Sequence, residues 1–437
     1  MNQIIGALLR SFKIQYRNNV FLNRLSSVLA IDMLVKLSGF LLIPVFLRLM
    51  SQDEYGMYNY ILSILATFSL VLNFGLYMPI AKLYHNATNA PARGELLFSV
   101  YTTLVVLLGV VLLPLYAFGV DYLLIDLLFK NKFDYGQYRF TILIALCITI
   151  FSFMLTNYFF STEKIAAVKK YNLAKIIMIN LVVLPGLYFT AGDMVDIRLK
   201  LTYFVELILF SVFLAFLVKE MKPVFNKTTS TQALVMGWPI MFSAMLGIVI
   251  NFSDKFFLEK YGGFTELSNY YLAVSFASIL SVVVGSIQNA WLPLFLKEKD
   301  LQTNIMKTKK LVKQLLLAFT GLSVAIYLLF YVLLLLNVIP NKYSQVLLIL
   351  PILLATQIFS SLSPFLSNYL VYFQKTYLVS LAGVIVCLIS LGASLLLVPA
   401  WGVYGAASAA LVSNVSYLLI YYIVVKRILA SYSASNI

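Results

Sequence analysis

Few side chains in this 437-residue chain could do chemistry, and those that could sit in unusual company. Asp32 and Lys36 lie one helical turn apart in residues 28–49, where almost every neighbour is apolar. Arg48 closes that stretch, Asn251, Asp254 and Lys255 close another, and Glu206 stands alone in a third. Amides interrupt two more: Asn73 in one, Gln288 and Asn289 in the other. Charge at hydrocarbon depth is costly and normally faces a protein interior or a wet cavity rather than lipid. Buried charges of both signs, accompanied by amides, suit the handling of a polar group inside a membrane. Bond-making chemistry is poorly served. The only histidine, His85, reads as a solvated loop residue, which removes two-histidine metal sites and makes a Ser-His-Asp arrangement implausible. No glycine motif that would cradle a nucleotide phosphate is present, so no cofactor, no metal and no enzymatic activity are expected.

Membrane-spanning helices have to carry these residues. Hydrophobic residues make up 62% of the chain and charged ones 11%, with mean hydropathy +0.92. Many windows exceed the 18 or so apolar residues that a spanning helix needs, and the alternating segments of a membrane barrel are absent. About twelve spans result, at 28–49, 58–80, 96–118, 138–160, 171–191, 201–218, 236–256, 269–292, 311–336, 346–371, 377–398 and 403–425. With the N-terminus taken as cytoplasmic, 22 of the 32 basic residues fall inside and 9 outside, with Lys36 within the bilayer. That bias places both termini in the cytoplasm, and topology with anionic lipid accounts for the net charge of +15 without a nucleic-acid partner. Lys175 is counted with the inner basic residues, and Glu206 has no obvious local base.

Residues 1–27 carry Ile4, Ile5, Leu8, Leu9, Phe12 and Tyr16 on one helical stripe beside Arg10, Lys13 and Arg17, the pattern of an interfacial amphipathic segment and not of a cleavable signal. Cys147 and Cys387 lie mid-span and read as packing residues. The connections are short, the longest being about 119–137, 219–235 and 297–310, too small for a folded extramembrane domain.

Two halves resemble each other. Asp53-Glu54-Tyr55-Gly56-Met57-Tyr58-Asn59-Tyr60 leads from the first span into the second, and Thr265-Glu266-Leu267-Ser268-Asn269-Tyr270-Tyr271 does so from the seventh into the eighth. Asn73 with Pro79 and Asn289 with Pro293 then recur near the inner end of each second helix. The expected architecture is an all-α polytopic membrane protein, two pseudo-symmetric six-helix bundles around a central cavity. Residues 28–218 form the first lobe, 219–235 a cytoplasmic linker, 236–425 the second lobe and 426–437 a tail.

The opening LSGFLLIPVFLRLMSQDEYGMYNYILSI, the central GWPIMFSAMLGIVINFSDKFFLEKYGG and the closing LLLVPAWGVYGAASAALVSNVSYLLIYYIVV resemble the polysaccharide-transport branch of the multidrug, oligosaccharidyl-lipid and polysaccharide exporter superfamily. The resemblance covers nearly the whole chain in order and topology. It implies a flippase of the bacterial inner membrane that moves undecaprenyl-diphosphate-linked sugar repeats outward, mainly for O-antigen or capsule. The peptidoglycan-precursor flippases that the chain also resembles usually carry two more helices. On this reading the lipid-linked oligosaccharide and the bilayer are the partners, H+ or Na+ the candidate coupling ions, and polymerase or assembly proteins candidate associates.

Each candidate residue also has a plainer reading. Asp32 and Lys36 form either a self-neutralising pair or a cavity site about 12 Å from the inner surface, where Lys36 meets a diphosphate. Asn251, Asp254 and Lys255 are a cavity-mouth cluster or an interfacial one, and the position of Arg48 at a helix end favours ordinary interface anchoring over a cavity role. Asn73, Gln288 and Asn289 line the path or join helices together. Asp32, Asp254 and Glu206 are charge-pair or ion-coupling acids. Two rival functions remain: a drug or cation antiporter, which would favour an acid-lined cavity, and a glycan polymerase, which would favour a large outer loop.

Overall fold

A computed structural model describes residues 39–435 except 88, 132 and 299. The described residues contain helices and no strand, as a lipid-embedded backbone requires when every N–H and C=O must be satisfied within its own segment. In chain order they are α1 (Gly39–Leu49), α2 (Gln52–Leu72), α3 (Tyr77–Asn86), α4 (Ala90–Ala117), α5 (Val120–Leu128), α6 (Tyr135–Ser161), α7 (Ile165–Phe189), α8 (Met194–Val218), α9 (Lys227–Lys297), α10 (Leu301–Leu335), α11 (Val346–Tyr372) and α12 (Tyr377–Ser435). Nine of them are long and apolar enough to cross a membrane.

Helix starts follow local chemistry. Ser51-Gln52-Asp53-Glu54 forms a capping box: the Ser51 hydroxyl accepts the Glu54 amide at 3.1 Å and Glu54 accepts the Ser51 amide at 2.7 Å. At α4, α8, α9 and α10 the side-chain oxygens of Asn89, Asp193, Asn226 and Asp300 accept first-turn amides.

The second expected span is broken. Asn73 is buried, and its side-chain amide donates to the carbonyls of Ser69 and Leu70 while its oxygen accepts the amide of Gly75. Those bonds end α2 at Leu72 and set up a turn through the positive-φ residues Phe74 and Gly75, after which α3 begins. Hydropathy runs straight through this point because the turn is as apolar as the helices it joins. A further short helix, α5, occupies part of the expected outer loop at 119–137.

Two helices are too long to be straight. A continuous α9 of 71 residues would extend about 107 Å. Instead the Tyr270 hydroxyl donates to the Asp254 carboxylate, 16 residues away, where a straight helix would hold the two about 24 Å apart. The reversal occurs at Gly263, φ 73° and ψ −173°, a conformation open to glycine. Likewise α12 turns at Gly402, and a Cβ on Gly383 would lie 3.6 Å from the Tyr417 hydroxyl, although a straight helix would separate the two by about 50 Å. The segments assigned to spans seven and eight, and to eleven and twelve, are therefore two hairpins.

The hairpins organise the packing. α9 lies against α12, α2 and α11, while α7 pairs with α8. Small residues permit the closest approaches. At Gly56 in α2 a Cβ would overlap the Phe264 carbonyl near the tip of the α9 hairpin. Large exposed apolar side chains such as Leu113, Phe140, Leu181 and Leu396 lie on the outside, where hydrocarbon would cover them.

Replacing Gly56 by Val should force α2 and α9 apart at their closest contact. A loss of at least about 1–3 kcal/mol is expected, the range for overpacking, read as a lower unfolding temperature in detergent. An unchanged unfolding temperature would contradict the observed packing.

Candidate functional site

Topological alternation puts the turns around residues 50, 130, 263 and 340 at one end of the helices, here called the outer end. There, α1–α8 and α9–α12 are tied together by polar bonds. The fully buried Glu259 accepts the backbone amides of Lys130 and Asn131 at 2.8–2.9 Å and the Asn131 side-chain amide at 3.1 Å. Gln52 donates to the Lys342 carbonyl at 2.8 Å, Lys342 to the Met50 carbonyl at 2.9 Å, and Thr265 to Asp53. Arg48 donates to the Asn337 carbonyl. The Asn226 amide also bonds Ser99 at the linker, and the other side-chain bonds named here between α1–α8 and α9–α12 lie at this outer end.

Behind the Glu259 contact stands a clamp between α5 and α6. Arg139 donates to both oxygens of Asp121, at 2.6 and 3.0 Å, and Tyr135 donates to the same carboxylate at 2.9 Å. The guanidinium also lies 3.9 Å from the Tyr116 ring centroid. Burial alone would raise the Asp121 carboxyl, but the bonds from Arg139 and Tyr135 outweigh it and hold the group below its ordinary value. At the opposite end Glu220 is held low in the same way, burial being outweighed by bonds from Lys164, Tyr158 and Tyr84.

Below the outer end, two polar cavities lie one after the other along α2, α7 and α8. The first, about 260 Å³, is lined by Phe46, Tyr58, Asn59, Asn180, Arg198 and, from α9, Ser275, among others. The second, about 310 Å³, is lined by Thr149, Ser152, Thr156, Tyr171, Lys175 and Glu206, among others. Within the second, Lys175 Nζ and Glu206 Oε1 are 2.5 Å apart. Glu206 therefore has a base, supplied by the neighbouring helix. Lys175 is correspondingly no loop residue: it sits about 15 Å into α7, facing the carboxylate at the midpoint of α8. Both expectations are corrected by the packing of α7 on α8, which brings together residues 31 positions apart.

The remaining expected site residues fall in separate places. Asp32 and Lys36 lie outside the described residues, as does the side chain of Asn289. Lys255 Nζ bonds the buried Asp254 at 3.1 Å and the Asn251 carbonyl at 2.6 Å, and lies over the Tyr270 ring. Asn251 itself is exposed, its amide donating to the Gly247 carbonyl. Gln288 donates to Asn368 of α11 at 2.8 Å. Asn73 forms the turn described above. Arg48 edges a mostly apolar groove of about 810 Å³ between α1 and α7. No cluster of three or more metal-binding side chains occurs among the described residues.

Sequence reasoning overlooked Arg198 and Glu259. Arg198 lies near an outer helix end, where a basic residue ordinarily anchors to the interface, yet Arg198, Thr202 and Glu206 recur every four positions and form a polar stripe along α8 that touches both cavities. That spacing was available in the sequence. Glu259 has no comparable signal, because its partners come from the turn after α5.

Two outcomes follow from this geometry. The Asp121 carboxyl is depressed in the fold, so its contribution is complete above the unfolded-state value and is lost as pH falls through the lower folded one. The unfolding-temperature gap between wild type and Asp121→Asn should stay flat from pH 8 to 5 and shrink only below about pH 4. For the α7–α8 pair, Glu206→Leu alone should cost about 3 kcal/mol by stranding Lys175, whereas Lys175→Met with Glu206→Leu should recover most of that loss. Equal melting of the single and double variants would show that the pair is not coupled.

Comparison with known proteins adds the family. The family described as "Polysaccharide biosynthesis protein" matches residues 21–299. Among solved structures, the lipid II flippase MurJ in an inward closed conformation has TM-score 0.67 and 16% identity, covering 90% of this chain and 87% of that one. A multidrug resistance MATE family transporter in an inward-facing conformation also has TM-score 0.67, at 12% identity, covering 92% and 99%. A transporter of the same superfamily from Pyrococcus furiosus has TM-score 0.58 at 13% identity, covering 93% and 95%. No curated protein sequence matches significantly. With its family model matching more than half of the chain, the protein belongs to the polysaccharide biosynthesis family, and it shares its fold with these transporters.

Proposed function

We propose that the protein is a flippase for undecaprenyl-diphosphate-linked oligosaccharide repeat units, serving O-antigen, capsule or exopolysaccharide assembly at the bacterial inner membrane. The observation that carries this reading is the closure of one end by side-chain bonds between α1–α8 and α9–α12, with polar cavities beneath it. A diphosphate bearing several sugars meets a steep barrier on entering hydrocarbon, while its acyl chain can remain in lipid. A hydrated cleft between two lobes, 28–218 and 236–425 joined by 219–235, lowers that barrier when it opens alternately inward and outward. The family, and the fold shared with a lipid II flippase, support this cargo class.

On this reading Lys36 and Lys255 attract the diphosphate, Arg48 stands at the outer mouth, and Asn251, Gln288 and Asn289 supply amides along the route, while the Asn73 amide is spent on the turn between α2 and α3. Asp32, Asp254 and Glu206 carry the compensating charge through which H+ or Na+ would couple. Lys175 on Glu206 and Tyr270 on Asp254 are the partners that such a cation would have to disturb. Both termini are cytoplasmic, and polymerase or assembly proteins take over the cargo outside.

Multidrug antiport is the second reading, favoured by an equally high TM-score with a MATE transporter. Gene deletion separates the two. Loss of a flippase traps lipid-linked repeats on the inner leaflet, whereas loss of an efflux pump leaves them untouched and sensitises cells to toxic compounds. In reconstituted vesicles, Lys36→Ala should slow flipping of a lipid-linked oligosaccharide about tenfold or more at normal expression; undiminished flipping removes Lys36 from the mechanism.

A further inference from the structure

We propose that Arg198 and the cavity around it form a subsite for an acidic sugar in the cargo's glycan, a proposal that rests on the flippase reading. Arg198 Cζ lies 3.7 Å from the ring centroid of Phe46 and 3.9 Å from that of Tyr58. Two rings this close to one carbon must occupy opposite faces of the guanidinium. Only its edge of N–H donors remains free to bond, and among the described residues the polar partner for that edge is the Met50 sulfur at 3.2 Å, a weak acceptor. Among the described residues no carboxylate reaches ion-pair distance: Asp196, two positions earlier, is bound to Lys200.

A planar cation held by its faces, with its fork of donors exposed to a cavity, suits bidentate pairing with a carboxylate. The surrounding groups suit a sugar. Asn59 and Asn180 each use the side-chain nitrogen on a backbone carbonyl of their own helix, leaving the side-chain oxygens toward the cavity they line. Thr202 and Ser275 add hydroxyls. The volume, about 260 Å³, is at the small end for a ligand site and limits the occupant to roughly one sugar ring.

Position distinguishes the glycan from the diphosphate. Arg198 is about 6 Å into α8 from its outer end, beneath the closed outer face. A cargo entering from the inner leaflet keeps its diphosphate beside its acyl chain, so the part that reaches this depth is the distal glycan. Ser275 comes from α9 and the other lining groups from α1, α2, α7 and α8, so the occupant touches both groups of helices whose separation would open the outer face.

The experiment compares flipping of two matched probes in reconstituted vesicles: an undecaprenyl-diphosphate trisaccharide ending in glucuronic acid, and the same lipid ending in glucose. Wild type should favour the acidic probe about tenfold, Arg198→Lys should reduce the ratio at least about threefold, and Arg198→Gln should bring it near one. A wild-type ratio near one overturns the assignment while leaving the flippase reading intact, and it does so even if Arg198→Gln fails to fold. Variants that slow both probes equally, preserving the ratio, also overturn it and return Arg198 to a packing role. Wild-type protein that flips neither probe overturns both readings.

Discussion

Charge inside hydrocarbon must be matched by the protein itself, and the arrangement of this chain follows from how each charged group is matched. Lys175 and Glu206 neutralise each other between α7 and α8. Asp254 is paired with Lys255 and additionally bonded by Tyr270 from the returning arm of the same hairpin. Arg198 is held by two aromatic faces, which stabilise the cation while consuming none of its N–H donors. Glu259 receives backbone and side-chain N–H groups from the turn after α5, a set of neutral donors. Ion pairs thus lie within each group of helices, and neutral donors serve the acid that joins the two groups.

This division suits a contact that would open in the proposed cycle. Separating a desolvated ion pair strands two charges, and the cost on removing one partner is about 3–5 kcal/mol. Separating a carboxylate from neutral donors leaves one charge, which water can solvate as the outer face parts. The Gln52, Lys342 and Arg48 bonds share this property, since each ends on a neutral backbone carbonyl. Rigid parts on either side make such a latch effective. On one side Lys175 and Glu206 tie α7 to α8; on the other Ser253 packs its hydroxyl at 3.2–3.3 Å from Ser390 and Ser394, fixing the two hairpins together.

Most of the architecture was legible because its causes are local. Long apolar runs specify helices, Ser51 with Glu54 and the Asn and Asp caps specify their starts, and Gly263 and Gly402 permit the reversals. The turn at Asn73 escaped because its stop signal is a side chain bonding its own backbone within an unbroken apolar window. The candidate site was less legible. Glu206 could be found as a buried acid, but its base was hidden by distance along the chain and became visible once α7 and α8 were seen to pack. Arg198 was hidden by its place near a helix end, where a basic residue ordinarily anchors to the interface; only its four-residue register with Thr202 and Glu206 distinguishes it.

That register also bears on how a long headgroup could advance. Helical residues spaced by four share a face, so Arg198, Thr202 and Glu206 lay a polar line about 12 Å long on α8, from the helix midpoint toward the outer end. α7 presents Lys175 and Asn180 to the same two cavities. On the proposed function, a glycan sliding along such a line would exchange one set of hydrogen bonds for another at each step. Carrying both signs of charge on one face serves the same end. Glu206 tempers Lys175 near the middle of the membrane, while Arg198, nearer the outer end, has no carboxylate at ion-pair distance among the described residues. The gradient is set by helix–helix packing and needs no moving part within α1–α8, which leaves the opening of the Glu259 contact as the step that the rest of the cycle would have to drive.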